Sequence, residues 1–143
     1  MAINKIIYSY VVNEESYQDQ EEIIAEGAKG NWAYLILEGK VKIKKKTAKG
    51  IVTIDTLEEG AIFGEMGLFA EGEAIRTASV VADGPVQVGL LDTHRIVKEY
   101  ETLSPQMRTL MASVIKRLRE ATDKVAAMVV DLSSTNAGNA DEK

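Results

Sequence analysis

The chain of 143 residues contains no cysteine, one histidine and two prolines. Without cysteine there is no disulfide framework, no thiolate metal site and no cysteine nucleophile. A metal enzyme on a β fold needs a cluster of histidine and carboxylate ligands, so we expect the lone His94 to be a capping or surface residue. No Ser-His-acid set, Walker loop or dinucleotide-binding glycine motif is present either. The sequence therefore predicts a protein that is not an enzyme and binds no metal.

Long hydrophobic runs and an excess of positive charge are also lacking. No stretch of about 18 apolar residues occurs, and the N-terminus MAINKIIYSYVV lacks the charged, apolar and small-residue sectors of a signal peptide. The formal net charge of -5 argues against direct DNA binding, which requires clustered lysine and arginine. The one basic run, residues 42–46, alternates with Val41 and Ile43 and is typical of the solvated face and turn of a strand pair. We expect a soluble, cytoplasmic protein with no membrane segment.

Short apolar or alternating runs separated by turn signals occupy about residues 6–91. The runs are IIYSYVV, EEIIAEG, WAYLILEGKVKIK, IVTIDTL, ASVVA and VQVGLL. The predicted turns lie at residues 28–31, 38–39, 49–50, 59–60, 72 and 83–85. Many short strands with frequent glycine turns predict a sandwich, a barrel or a roll, and periodicity alone does not choose among these three.

From Asp92 onward the pattern becomes helical, over about residues 92–131. Asp92 and Thr93 can cap a short helix, and Ser104 with Pro105 can begin a longer one. In the longer helix, apolar residues recur at alternating steps of four and three and form a heptad seam. The seam consists of Met107, Met111, Val114, Leu118, Ala121, Val125 and Met128.

The seam can be buried in two ways. Leu110 and Ile115 widen the apolar stripe, so one helix has surface for the parent β domain and for the same helix of a second subunit. We expect a parallel homodimer through residues 105–130, with purely intrachain packing as the alternative. After Leu132 the composition SSTNAGNADEK predicts a disordered tail, so a single domain over residues 1–131 precedes a tail over residues 132–143.

The stretch FGEMGLFAEGEAIRTASV, residues 63–80, holds the candidate ligand site. The Gly-Glu step at residues 64–65 suggests a close backbone approach to a ligand and the start of a short helix, whose free amides favour an anion such as phosphate. Phe63 and Phe69 are predicted to be core residues rather than base-stacking groups.

Glu65 and Arg76 form a charged pair that is flanked on both sides by core-like residues. A guanidinium can donate two parallel hydrogen bonds to two oxygens of a phosphodiester, and Thr77 can add a hydroxyl donor. A carboxylate beside a phosphate is repelled unless it accepts hydrogen bonds, which a ribose hydroxyl supplies. The pair therefore matches the two polar features of a 3',5'-cyclic nucleotide. The alternative is an ordinary surface ion pair, worth about 0 to 1 kcal/mol.

Residues 63–80 resemble the phosphate-binding cassette of the cyclic nucleotide-binding domain family, to which bacterial catabolite activators and regulatory subunits of cyclic AMP-dependent kinase belong. The upstream IIAEGAKGNWAYLILEGKVKI, with Gly27, Gly30 and Gly39, resembles the run of strands in that family, and RLREATDKVAAMVVDL resembles its dimerisation helix. The similarity spans about residues 20–131. It implies a mainly β fold with α helices, in which an antiparallel, jelly-roll-like β-roll precedes a long C-terminal dimerisation helix.

The resemblance also implies a role for individual residues. Gly64 would make a backbone contact, Glu65 would accept the ribose 2'-hydroxyl, Arg76 would hold the cyclic phosphate, and Thr77 with the Ala78 amide would complete the phosphate cradle. Met66 occupies another family position in the cassette. Ile43 and Ile54 would pack against the ligand in the roll. Arg117 and Thr122 would lie near the purine, with Thr122 reaching across the dimer.

Three features depart from the family pattern. The interval from Glu65 to Arg76 is eleven positions, with residues 73–75 inserted, which implies a differently shaped loop. Ala121 and Thr122 stand where the catabolite activator has two adjacent hydroxyl residues, so the choice between adenine and guanine stays open. The chain ends where a helix-turn-helix domain would begin, so no DNA-reading element is implied.

The resulting hypothesis is a non-catalytic sensor of cyclic AMP, with cyclic GMP as the second candidate ligand. Its signal would pass to a downstream protein that the sequence does not identify. The alternative is a dimeric scaffold or partner-binding protein of the same fold, with a vestigial pocket or a different small anionic ligand.

Overall fold

The computed structural model describes residues 5–30, 32–65, 76 and 78–141. Within these residues, a short helix precedes an antiparallel sheet of six strands, and two longer helices follow it. In chain order the elements are α1 (Lys5–Tyr8), β1 (Val11–Tyr17), β2 (Glu22–Ile24), β3 (Tyr34–Thr47), β4 (Gly50–Leu57), β5 (Ile62–Phe63), β6 (Ser79–Leu91), α2 (Thr93–Glu101) and α3 (Pro105–Asp141). The predicted class, mainly β with C-terminal helices, is confirmed.

The two longest strands, β3 and β6, lie at the centre of the sheet. The strand order is β1, β6, β3, β4, with β2 also paired to β6 and β5 also paired to β3. The β3 and β6 strands pair from Tyr34 opposite Leu90 to Lys44 opposite Ser79. The β3 and β4 strands form the hairpin that the basic run predicts, with its turn between Thr47 and Gly50.

Two predicted glycine turns lie inside strands instead. Residues 38–39 belong to β3 and residues 83–85 belong to β6, and the register between the two strands shifts twice in this region. Gly39 has a φ of +94° and Gly84 a φ of +79°, a conformation that L side chains rarely adopt. A bulge requires this conformation as much as a turn does, so the glycines bend the paired strands without ending them.

Two predicted boundaries also differ from the structure. Residues 6–8, which the sequence assigned to the first apolar run of the β part, lie in the helix α1, and the Tyr10 amide closes a turn on the carbonyl of Ile7. The tail predicted from residue 132 is helical, because α3 continues to Asp141. The tail contains no proline, and a helix already nucleated upstream gains one hydrogen bond for each residue it adds.

The core consists of two clusters on the sheet. The larger cluster is formed by Ile24, Ile36, Val41, Phe63, Val80, Ala82, Val86 and Val88. The smaller cluster is formed by Ala33, Leu35 and Leu91, with Ile96 of α2 packed against it. Full burial of one valine, leucine or isoleucine side chain contributes about 1.5 to 3 kcal/mol, so these clusters fix the positions of the strands.

Both predicted helix starts are confirmed. The side chain of Asp92 accepts a hydrogen bond from the Arg95 amide at the start of α2. Ser104 Oγ accepts one from the Met107 amide at the start of α3. The Tyr100 hydroxyl donates to the carbonyl oxygen of Arg108 at 3.0 Å, which ties the end of α2 to the first turns of α3.

The apolar residues of α3 differ in burial. Met111 and Ile115 are half-buried, and α3 contacts β3. The other large apolar side chains are 46% to 62% exposed, namely those of Met107, Leu110, Val114, Leu118, Val125, Met128 and Leu132. In the described ranges, no helix combines the length and the apolar character needed to cross a membrane.

The bulge at Gly39 leads to a stability prediction. A Cβ atom there would lie 2.4 Å from the carbonyl oxygen of Pro85, in addition to the unfavourable φ. We expect Gly39→Ala to lower the free energy of unfolding by about 3 kcal/mol in urea titrations. Gly84→Ala is the matched control, because its Cβ would meet no atom within 4 Å, and we expect a loss of about 1 kcal/mol. Equal losses in the two variants would show that the close approach to Pro85 does not matter.

Candidate ligand-binding site

Arg76 lies in a cluster of main-chain groups. Its Nη1 donates a hydrogen bond to the carbonyl oxygen of Gly64 at 3.0 Å, and its Nη2 donates one to the carbonyl oxygen of Trp32 at 2.7 Å. The backbone amide of Arg76 donates to the carbonyl oxygen of Ala28 at 2.8 Å, and its carbonyl oxygen accepts from the Gly27 amide at 2.7 Å. Hydrogen bonds therefore hold both the backbone and the guanidinium of Arg76.

Two glycines make room for the guanidinium. A Cβ atom on Gly30 would lie 3.3 Å from Nε of Arg76. A Cβ atom on Gly64 would lie 2.7 Å from the carbonyl oxygen of Trp32 and 3.4 Å from Nη1 of Arg76. Gly64 also has a φ of +77°. The guanidinium therefore lies directly against main chain, a position that side chains at residues 30 and 64 would obstruct.

The electrostatic state of Arg76 follows from these contacts. The residue is half-buried, and burial lowers the pKa of its guanidinium, while electrostatic interactions with Tyr34 and Glu65 act in the opposite direction. An arginine nevertheless stays protonated at neutral pH. Among the described residues, both hydrogen-bond acceptors of its side chain are carbonyl oxygens. In that part of the chain, no carboxylate in direct contact neutralises this positive charge.

Apolar side chains lie next to the cluster. Phe63 is 2% exposed and stacks on Tyr34, with ring centroids 5.0 Å apart and planes inclined by 11°, so its predicted place in the core is confirmed. Ile43 packs against the larger core cluster. Ile54 is half-buried and lies at the register shift of β4, beside Asp55, which pairs with Ile43.

The structure brings together part of the site that the sequence predicts. Gly64 and Arg76 are in contact, Glu65 acts electrostatically on Arg76, and Ala78 immediately precedes β6. Arg117 is exposed on α3. Several calls lie outside the described residues, namely those on Met66, Phe69, Thr77, the inserted residues 73–75 and the side chain of Thr122.

An ion pair that sequence reasoning missed lies next to the backbone partners of Arg76. Lys45 Nζ is 2.7 Å from Glu26 Oε1, and the two side chains are only 22% and 15% exposed. Glu26 Oε2 accepts a hydrogen bond from the Lys46 amide at 3.1 Å, and the Glu26 amide donates to Ser79 Oγ at 2.9 Å. The prediction of a solvated lysine run is therefore wrong for Lys45. The available signal was strand alternation, which places Lys45 on the same face as Ile43.

Trp32 and Gly30 were missed as well, for a different reason. Trp32 contributes its carbonyl oxygen, while its side chain is 46% exposed, and Gly30 contributes the absence of a side chain. A contact made by the main chain does not require a particular residue type, so the sequence gives no direct sign of it. The glycine pattern around residues 27–39 was the one available signal.

Together, the antiparallel sheet, the C-terminal helices and the arginine cluster define a β-roll domain. The family model for the cyclic nucleotide-binding domain matches residues 14–102, and the chain belongs to this family. The predicted resemblance is confirmed.

Several relatives illustrate the relationship. The cAMP-activated global transcriptional regulator CRP of Pasteurella multocida is 27% identical over 111 residues, which cover 77% of this chain and 53% of that protein. The cAMP-bound EAL enzyme Bd1971 is 28% identical with a TM-score of 0.69, covering 88% of this chain and 33% of the other. Its cGMP-bound form is 26% identical with a TM-score of 0.67, covering 91% and 34%.

The catabolite activator protein of Thermus thermophilus is 29% identical with a TM-score of 0.63, and the match covers 87% of this chain and 58% of that chain. This similarity confirms the predicted β-roll. The chain spans about half the length of the curated CRP relative and 12% of the cGMP-dependent protein kinase egl-4 of Caenorhabditis briggsae, to which it is 32% identical over 91 residues.

The Glu26 carboxylate leads to a prediction about pH. Burial alone would raise its pKa, but hydrogen bonds from Lys45 and the Lys46 amide, with the charges of both lysines, hold the pKa below the usual 4.5. A carboxylate with a depressed folded-state pKa stabilises the fold above its unfolded pKa, and this contribution disappears as the pH falls through the folded value. We therefore expect Glu26→Gln to be less stable than the parent at pH 7, and the difference to shrink below pH 4.5.

Urea titrations of both proteins between pH 3 and pH 7 measure this difference, with about one pH unit between points. Glu22→Gln, on the exposed position of β2, is the control and should show a smaller and flatter difference. A Glu26→Gln difference that does not change with pH would contradict the assignment.

Proposed function

We propose that the chain binds a cyclic nucleotide, with cyclic AMP as the first candidate, around Arg76, and that it acts as a non-catalytic sensor. The observation that carries this proposal is the half-buried guanidinium whose described acceptors are two carbonyl oxygens. A charge removed from water is costly unless an opposite charge or hydrogen bonds compensate it. Among the described residues, those carbonyls accept from two of the five N–H donors of the arginine, and in this proposal the other donors meet the phosphate.

The neighbouring residues suit the other parts of such a ligand. Glu65 is placed one residue after Gly64 and accepts the ribose 2'-hydroxyl, which is free in a 3',5'-cyclic nucleotide. The amide of Ala78 and the hydroxyl of Thr77 follow Arg76 in sequence and extend the phosphate cradle, while Met66 follows Glu65. Ile43 and Ile54 pack against the ligand from β3 and β4.

The identity of the base is the finer part of the proposal. The relatives favour cyclic AMP, because CRP of Pasteurella multocida is described as cAMP-activated and Bd1971 has a cAMP-bound form. Bd1971 also has a cGMP-bound form, so cyclic GMP is the competing ligand in the titration below.

A sensor also needs an output, and α3 is the element we propose for it. Its exposed apolar face would be buried against the same face of a second copy, in a parallel homodimer through residues 105–130. Arg117 and Thr122 would then lie near the purine, with Thr122 reaching from the partner. The sensor itself performs no chemistry: His94, the one histidine, is exposed on α2.

Isothermal titration with cyclic AMP and cyclic GMP, beside the corresponding 5'-monophosphates, tests the ligand. We expect saturable binding of a cyclic nucleotide and a loss of about 1.5 to 3 kcal/mol in Arg76→Ala, because a charge-assisted contact disappears. That loss corresponds to a rise in Kd of roughly 10- to 150-fold.

The control for Arg76→Ala is Arg95→Ala, which removes an arginine that stacks over Tyr10, away from the cluster. It should bind like the parent. If no cyclic nucleotide binds, the proposal fails, and a scaffold with a vestigial pocket or another anionic ligand takes its place.

The dimer is tested by Leu118→Asp. Leu118 is 51% exposed in the single chain, and an aspartate there would bury a charge in the proposed seam. We expect sedimentation velocity to show a dimer for the parent and a monomer for this variant. Lys116→Asp, at an exposed position off the seam, should remain dimeric. A Leu118→Asp variant with the parent's oligomeric state would refute the proposed interface.

A further inference from the structure

The Glu26 and Lys45 ion pair is connected to Arg76 through a short backbone segment. Lys45 Nζ binds one oxygen of Glu26 and the Lys46 amide binds the other, so β3 holds the carboxylate at both oxygens. Gly27, the next residue, donates its amide to the Arg76 carbonyl oxygen at 2.7 Å. Ala28 accepts from the Arg76 amide at 2.8 Å. Segment 26–28 therefore holds the backbone of Arg76 and is itself held by β3.

Among the described residues, segment 26–28 has few other anchors. Gly27 is exposed and has a φ of +84°, and a Cβ there would meet no described atom within 4 Å. The other described anchors are the bond from the Glu26 amide to Ser79 Oγ and the turn from the Ala28 amide to the Ala25 carbonyl oxygen. Glycine has access to more backbone conformations than any other residue, so we expect the carboxylate anchor beside Gly27 to limit its movement.

We propose that Glu26 and Lys45 are positioning residues for Arg76: their ion pair fixes segment 26–28 and thereby the place from which Arg76 meets the anionic group of its ligand. This inference rests on the proposed function for the identity of the ligand. It differs from the proposed function because neither residue touches the ligand in this role. It also gives a reason for the Glu26 carboxylate to lie on the side of the domain where we propose that an anion binds.

Simple Coulomb attraction and a positioning role predict opposite changes in ligand affinity when the Glu26 carboxylate is removed. If only charge mattered, removing a carboxylate near an anion site would strengthen binding, while removing Lys45 would weaken it. If the pair acts through Arg76, removing either partner weakens binding, and removing both costs little more than removing one.

The experiment is isothermal titration of cyclic AMP and cyclic GMP into Glu26→Gln, Lys45→Met and the double variant. We expect each single variant to raise Kd about tenfold, the equivalent of about 1.4 kcal/mol, and the double variant to match them. Lys45→Arg keeps the charge and the donors and should restore most of the affinity. Lys44→Met, the neighbouring lysine on the opposite side of β3, and Glu22→Gln are the matched controls and should bind like the parent.

A second measurement does not depend on the ligand. In the ligand-free protein, hydrogen exchange by NMR reports the amides of Gly27 and Arg76, whose bonds depend on segment 26–28. We expect Glu26→Gln to speed exchange at these two amides by a larger factor than at the amide of Val88 in the core, whose rate reports the global loss of stability. General destabilisation alone would speed all three by the same factor, so this comparison separates a local effect from a global one.

The outcomes separate the two proposals. If the parent binds a cyclic nucleotide and Glu26→Gln binds equally well or more tightly, the positioning role is overturned and the proposed function stands. If the parent binds no cyclic nucleotide, the proposed function is overturned, and the exchange rates of Gly27 and Arg76 decide the positioning role. Unchanged rates at these amides in Glu26→Gln would overturn it.

Discussion

The ladder between β3 and β6 connects every other strand of the sheet. Strands β1 and β2 pair with β6, and strands β4 and β5 pair with β3, so each depends on this central pair for its partner. The ladder ends where Lys44 pairs with Ser79. The segment that carries Arg76 and the segment that carries Lys45 both adjoin this end of the ladder. Arg76 lies just before β6, and Lys45 is the next residue on β3. The register of one pair of strands therefore sets the distance between Arg76 and the ion pair that we propose positions it.

The arginine cluster is made mainly by the backbone. Carbonyl oxygens of Gly64 and Trp32 hold the guanidinium, and residues 27 and 28 hold the main chain of Arg76. Carbonyl partners orient a guanidinium without neutralising it, whereas a carboxylate partner would do both. A half-buried cation prepared in this way keeps its charge for an incoming anion. The glycines at residues 30 and 64 permit the arrangement because they leave space that any side chain would fill.

The features that the sequence predicted correctly depend on local chemistry or on a family motif. Asp92 and Ser104 were recognised as helix caps because a cap acts within three residues, and the family was recognised by the motif of residues 63–80. Gly39 and Gly84 were placed in turns because bulges and turns require the same positive φ. The Glu26 and Lys45 pair was missed because its members are far apart in sequence, and Trp32 because it acts through its carbonyl oxygen. The sequence prediction ended α3 too early, because a polar composition indicates that residues are not buried but does not indicate that they are not helical.

The length of α3 has a mechanical consequence. A helix of 37 residues extends about 55 Å, which is far longer than the patch of β3 that it contacts. Its near end is tied to α2 by the hydrogen bond from Tyr100 to the carbonyl of Arg108, so this junction is a natural fulcrum. A tilt of about 10° at such a junction carries the far end of a helix of that length through about 10 Å. At Ile115, about 10 Å along the helix from Arg108, the same tilt corresponds to a displacement of about 2 Å. A small shift at the sheet would thus be converted, without any change inside the helix, into a movement as large as a helix diameter.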